Sequence, residues 1–270
     1  MTSDESPVVV SIAAGVAMVT LNRPRLLNAL DGAMADELMS AVASLSADES
    51  VLVVVLRGAG EAFMAGGDIG IFNQLVTGDR KRSGIEVAAR PMIEQAQRIV
   101  LALCRMPKPV IASVHGACAG YGLSLMLASD IAVAADDTKF TLAYIHLGTT
   151  PDGGASYHLA RVVGQKRAAA IALLGDRFGA ADAERWGMVN QLVPSAELES
   201  VTAKLAARIA QGPALAYART KKLLNESGGN TLEEQLRAET DAFADSLLTE
   251  DFAAGVSAFL AKKPPRFRGR

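Results

Sequence analysis

The chain has 270 residues, half of them hydrophobic and 21% charged, which is long enough to bury a sizeable core and too apolar for a disordered chain. Its net charge of −2 gives no basic footprint for nucleic acid, and its two cysteines, Cys104 and Cys118, make neither a disulfide framework nor a zinc ligand set. Residues 1–7 are polar and acidic, unlike a signal or transit peptide, and the apolar runs stop short of a membrane span, so the expectation is a soluble cytoplasmic protein with no nucleic-acid or membrane partner.

In chain order, Val8–Ala13 and Val16–Leu21 are β-branched runs split by Ala14-Gly15, a short hairpin signal. Asp31 stands at an N-cap position ahead of Met34, Leu38, Met39, Val42 and Leu45 at helical spacing. Residues 51–56 form a continuous apolar run of the kind buried on both faces of a sheet. Residues 85–105 read as a long helix that ends at Met106-Pro107-Lys108-Pro109. A strand at Val110–Val114, a short helix at 123–129 and a strand at Ile131–Ala135 follow. From Gly154 onward helical signals dominate: Ala155–Val163, Gln165–Leu174, 181–186, 198–211, 213–226 with Pro213 in its first turn, and 231–248. The organisation is an α/β core over residues 1–195 followed by a helical C-terminal region over 196–270.

Two glycine-rich turns carry the chemistry: Ala62-Phe63-Met64-Ala65-Gly66-Gly67-Asp68, and Val114-His115-Gly116-Ala117-Cys118-Ala119-Gly120-Tyr121-Gly122. Each follows a buried strand, and glycine lets the backbone come close to a ligand with its N–H groups turned into a cavity. Two such groups aimed at one oxygen make an oxyanion hole, to which a helix N-terminus adds partial positive charge. Either turn alone reads equally as a tight strand-to-helix connection.

Together and in this order the motifs resemble the enoyl-CoA hydratase/isomerase (crotonase) superfamily. The resemblance begins at Leu21-Asn22-Arg23-Pro24 and Leu27-Asn28-Ala29-Leu30 and runs through Ala65-Gly66-Gly67-Asp68, Lys108-Pro109-Val110-Ile111-Ala112 and Ala128-Ser129-Asp130-Ile131. It continues with residues 148–154 and Ala183-Glu184-Arg185-Trp186-Gly187-Met188-Val189, and closes at Ala258-Phe259-Leu260. It implies a spiral of ββα units with a C-terminal helical trimerisation region, a homotrimer or dimer of trimers, and an acyl-CoA thioester as substrate. Coenzyme A then enters as part of the substrate, with no separate cofactor and no metal.

Carried over by position, the resemblance puts the oxyanion donors on the backbone N–H groups of Ala65 and Tyr121, with a tyrosine where glycine is more usual and its phenol near the acyl pocket. Asn28 and Ala29 fall where the backbone receives the adenine, and Arg23, Arg25 and Lys262 are the candidate phosphate contacts; a lysine common before this segment is replaced by Leu26. Met64, Gly66, Ile69, Gly120, Ser124 and Tyr144 fall around the acyl group, with Phe72 nearby, and Asp68 falls where it would fix the turn rather than react.

Hydratases of the family use two glutamates, because adding water needs a base for the water and an acid for the α-carbon. Those positions hold Ser124 and Tyr144 here. What remains is Asp152, in Gly148-Thr149-Thr150-Pro151-Asp152-Gly153-Gly154, where family members that shift double bonds resemble this chain in placing an aspartate. A double-bond shift removes a proton at one carbon and returns one two carbons away, so one carboxylate serves both steps. The competing reading makes Asp152 the N-cap of the helix that begins at Ala155. The expected activity is a CoA-thioester isomerase, with an atypical hydratase and a non-catalytic acyl-CoA-binding protein as alternatives.

Overall fold

The computed structural model describes residues 6–78 and 82–269; the start of the acidic N-terminus and residues 79–81 of the basic 79–90 segment lie outside the described residues. Strands β1 (Val8–Ala13) and β2 (Val16–Leu21) pair antiparallel across a turn whose central residues, Ala14 and Gly15, have φ of 50° and 79°. Two positive φ values match the right-handed twist of the hairpin. Helix α1 (Gly32–Ala47) starts at Asp31, whose carboxylate accepts the Met34 N–H at 2.8 Å, and buries Met34, Leu38, Val42 and Leu45.

Strand β3 (Val53–Gly58) runs parallel to β2 and shows why its segment is apolar throughout. Val54 and Leu56 enter the main core, while Val53 and Val55 enter a second core on the opposite face. After α2 (Ile69–Thr77) and the long α3 (Arg82–Arg105) come β4 (Val110–Val114), β5 (Ala117–Ala119), α4 (Tyr121–Leu127), β6 (Ile131–Ala135) and β7 (Lys139–Thr141). Then follow α5 (Ala155–Val163), α6 (Gln165–Leu174), β8 (Phe178–Gly179), α7 (Ala180–Arg185), β9 (Gln191–Val193), α8 (Leu198–Ala210), α9 (Ala214–Ser227), α10 (Leu232–Leu247) and α11 (Glu250–Leu260).

The main sheet has the order β1-β2-β3-β4-β6-β9, parallel apart from the opening hairpin, and β5-β7-β8 form a second, small sheet. Helices α1, α3, α4 and α5 supply the main core, and Leu198, Ala206 and Ile209 of α8 cover the outer face of the large sheet. Thus α8, on the helical side of the expected division at residue 195, packs directly on the sheet. Helices α10 and α11 leave many apolar residues exposed, among them Leu236, Phe243, Leu247 and Phe259. Pro213 is the N-cap of α9, one position earlier than expected. No described helix is long and apolar enough to cross a membrane.

Candidate active site

The two glycine-rich turns are stitched together by backbone bonds. Phe63 N–H donates to His115 O at 2.8 Å, Met64 N–H to Ala117 O at 3.1 Å, and Ala119 N–H to Met64 O at 2.8 Å. On its other side the first turn pairs with the Leu27–Leu30 loop: Ala65 N–H donates to Leu27 O at 2.9 Å, Leu30 N–H to Gly66 O at 2.8 Å, and Asp68 N–H to Leu30 O at 2.9 Å. The Ala65 N–H is therefore committed, and the oxyanion role expected for it fails. The N–H groups that this pairing skips belong to Gly66 and Gly67, neither of which has an acceptor among the described residues; Gly67 is the residue bridged to Leu30, with its own N–H outside that pairing.

The second expected donor, the Tyr121 N–H, is unpaired among the described residues. Tyr121 opens α4, so its N–H has no partner within the helix, and no other described group accepts it. Gly120, the N-cap, adopts φ 51° and ψ −121°, a conformation closed to side-chain-bearing residues, and this turns the Tyr121 peptide. The backbones nearly touch: a Cβ placed on Gly66 would lie 3.5 Å from Tyr121 N, and one on Gly120 would lie 3.5 Å from the Gly66 Cα. Neighbouring peptides of both turns thus present unpaired donors beside one another, the arrangement that stabilises a developing oxyanion.

The same turn meets Asp152 through two side chains. A Cβ on Gly120 would lie 4.0 Å from Tyr144 Cζ, and the Tyr144 hydroxyl donates to Asp152 Oδ1. The Ser124 hydroxyl, one helical turn beyond Tyr121, donates to the Asp152 carbonyl oxygen at 3.0 Å. Burial pushes the Asp152 carboxyl above its ordinary value, opposed by the Tyr144 hydrogen bond. Burial raises the Tyr144 phenol too, with the neighbouring Asp152 adding to the rise, so Tyr144 stays protonated and donates. The N-cap alternative for Asp152 fails: α5 is capped by Gly154 without a side-chain bond, and the Asp152 carbonyl, not its carboxylate, accepts the Ala155 N–H at 3.1 Å.

Several expected ligand contacts have structural work instead. The Arg23 guanidinium pairs with Asp31 at 3.0 Å and Asp68 at 3.2 Å and also bonds the Ala29 carbonyl, so it braces the loop rather than facing a phosphate. Asp68 combines that pair with the N-cap of α2, accepting the Gly70 N–H at 3.0 Å. Met64 is fully buried in the main core and forms no pocket wall. The Tyr121 phenol is turned away from the oxyanion site, donating to Ala96 O of α3 at 2.7 Å, and its ring packs against Gly153. Asn28 is wholly buried, and its amide binds the carbonyls of Ala59 at 2.9 Å and Ala62 at 2.7 Å. Arg25, Ile69 and Lys262 are exposed, Ala29 is half-buried, and Arg25 and Lys262 form no ion pair among the described residues. A cavity of about 1000 Å³ between α3, α5 and α9 reaches Gly153 and Gly154, directly beyond Asp152 in the chain.

The family model described as enoyl-CoA hydratase/isomerase matches residues 11–270. The chain belongs to the enoyl-CoA hydratase/isomerase family. It is 36% identical over 261 residues to the 1,2-epoxyphenylacetyl-CoA isomerase of Escherichia coli (strain K12), covering 96% of this chain and 97% of that one. It is also 32% identical over 265 residues to the 2,3-dehydroadipyl-CoA hydratase of the same organism, covering 98% of this chain and all of that one. A crystal structure of an enoyl-CoA hydratase from Polaromonas sp. JS666 superposes with a TM-score of 0.90 at 31% identity, covering 97% of this chain and 99% of that one. The fold is therefore that of the enoyl-CoA hydratase/isomerase family, as the sequence motifs implied. Isomerases and hydratases both stand among these relatives, so membership of the family leaves the choice between them to the site.

Proposed function

We propose that the protein is an acyl-CoA isomerase that shifts a double bond from the β,γ to the α,β position of an enoyl-CoA, or rearranges a related ring-epoxide thioester. One observation carries the reading: the two positions that hold hydratase glutamates hold Ser124 and Tyr144, and both hydrogen-bond Asp152. A tyrosine that donates its proton to Asp152 cannot also be the base that activates water. In the reaction proposed, the thioester oxygen lies between the N–H groups of Gly67 and Tyr121. Asp152 removes the proton from C2, the dienolate negative charge rests on that oxygen, and Asp152 returns the proton to C4. Its raised pKa makes the return step easier than an ordinary aspartate would. The similarity to an isomerase supports this reading, and a relative described as a probable enoyl-CoA hydratase is equally similar, at 36% identity. The proposed assembly is a homotrimer or dimer of trimers, for which the exposed apolar residues of α10 and α11 supply contact surface.

The test is an assay on matched 3-enoyl and 2-enoyl CoA thioesters, with Asp152→Asn alongside. Migration and C2 proton exchange are expected in the parent and lost in the variant, while acyl-CoA binding persists in both. Water addition without migration, or turnover indifferent to Asp152, would replace this reading with the hydratase.

A further inference from the structure

We propose that Tyr144 is a positioning residue that, together with Ser124, clamps Asp152 so that one carboxylate oxygen, Oδ2, both takes and returns the substrate proton. The inference rests on the isomerase reading above. Its geometry comes from two contacts, one to the side chain and one to the main chain: Tyr144 holds Oδ1, and Ser124 holds the Asp152 carbonyl at 3.0 Å. The main chain has little room to shift, because a Cβ on Gly153 would stand 2.8 Å from the Tyr121 ring and 2.9 Å from Ser124 Cβ. Among the described residues, Oδ2 takes no hydrogen bond from another residue. With Oδ1 engaged, the proton taken from C2 resides on Oδ2 and is delivered from the same atom to the same face of the dienolate.

The surroundings leave Tyr144 as the side chain that tunes this carboxylate. From α4, Tyr121 faces Asp152, but its buried phenol is held protonated and donates to Ala96 O at 2.7 Å. From α5, His158 packs on Gly154, and burial pushes it toward the neutral form. No charged side chain contributes to the Asp152 shift among the described residues. Removing the Tyr144 hydroxyl removes the larger of the two hydrogen bonds that oppose burial, the other coming from the Asp152 N–H, so the carboxyl rises further and the acid limb of the pH profile moves up with it.

The experiment compares the parent, Tyr144→Phe and Asp152→Asn on a 3-enoyl CoA thioester carrying deuterium at C2. It is paired with a ¹³C NMR titration of the Asp152 carboxyl in the uncomplexed protein. For Tyr144→Phe we expect kcat to fall on the order of tenfold with KM little changed. The acid limb and the carboxyl titration should both move to higher pH, and less deuterium should reach C4. A second substitution, 3-fluorotyrosine at 144, makes the phenol a stronger donor and should move the limb the opposite way. An unchanged limb, titration and deuterium transfer in Tyr144→Phe would overturn the inference and leave Tyr144 a pocket wall. Full turnover by Asp152→Asn would instead overturn the isomerase reading, whereas the NMR titration would still decide whether the Tyr144 bond sets the carboxyl.

Discussion

The N–H of Ala65 donates to the carbonyl of Leu27 at 2.9 Å, and this bond leaves the Gly66 and Gly67 peptides as the free donors of the first glycine turn, of which the proposed mechanism uses Gly67. Replacing the residue-67 amide by an ester, through an α-hydroxy acid at that position, removes a donor without changing shape. A rate loss of about 10²–10³ in kcat is expected, with little change in stability. The same replacement at residue 65 should lower thermal stability by about 1 kcal/mol and leave kcat nearly intact. Equal rate losses at the two positions would return the oxyanion role to Ala65.

Asp152 is predicted to cost stability at the pH where it works. Burial raises its folded pKa above the unfolded value, so the folded chain holds this proton more tightly. The stability gained from the protonated form is present at low pH and is lost as pH rises through the folded pKa. Asp152→Asn, a neutral isostere that can still accept from Tyr144, should therefore be more stable than the parent at neutral pH, by about 1 kcal/mol, and unfold at a higher temperature. That advantage should shrink in acid. Calorimetry at several pH values checks it, and a variant less stable than the parent at pH 7 would show that the carboxylate is a net structural asset.

The side chain of Asn28 should behave as a structural pin, separate from the backbone role expected of this loop. Its φ of 58° lies in the left-handed region that asparagine tolerates, its amide binds the Ala59 and Ala62 carbonyls, and its Oδ1 accepts the Arg23 N–H at 2.9 Å. Asn28→Ala strands buried polar groups and strains the backbone, at a cost of about 2–4 kcal/mol. Chemical denaturation measures that loss. A variant of unaltered stability with weakened CoA affinity would restore the ligand role.

What the sequence disclosed follows from how locally each feature is determined. The hairpin at Ala14-Gly15, the Asp31 cap and strands β4 and β6 rest on turn chemistry and continuous apolar runs, and they form where expected. Strands β5, β7, β8 and β9 have two or three residues each, too few for any alternation to show. Helix α2 was hidden because Asp68 reads as part of a glycine motif, although it caps Ile69–Thr77. The candidate site residues were named by motif, but the direction of an N–H is set by pairing across loops. The free N–H groups of Gly66 and Gly67 could be told from the committed one of Ala65 only once Leu27 and Leu30 were in place. Arg23 was misplaced for the same reason, since the two acids that hold it, Asp31 and Asp68, lie far apart in sequence.

Lys221 decides whether the C-terminal helices stay attached to the core. It projects from α9 with only 7% of its surface exposed and binds Leu103 O at 2.8 Å, Lys108 O at 3.1 Å and Asp130 Oδ2 at 2.8 Å. Asp130 in turn accepts the Val110 N–H at 2.7 Å, so this one ammonium joins α9 to the end of α3 and the start of β4. Burial raises the Asp130 carboxyl and Lys221 opposes the rise. In Lys221→Met the carboxylate loses its cation and two buried carbonyls lose their donor, which should destabilise the protein by about 3–5 kcal/mol. Adding Asp130→Asn should recover part of that loss, because the uncompensated charge disappears while the missing donor does not. If instead the double variant is as unstable as the sum of the two single ones, the pair contributes no coupling, and the backbone carbonyls alone account for holding α9 in place.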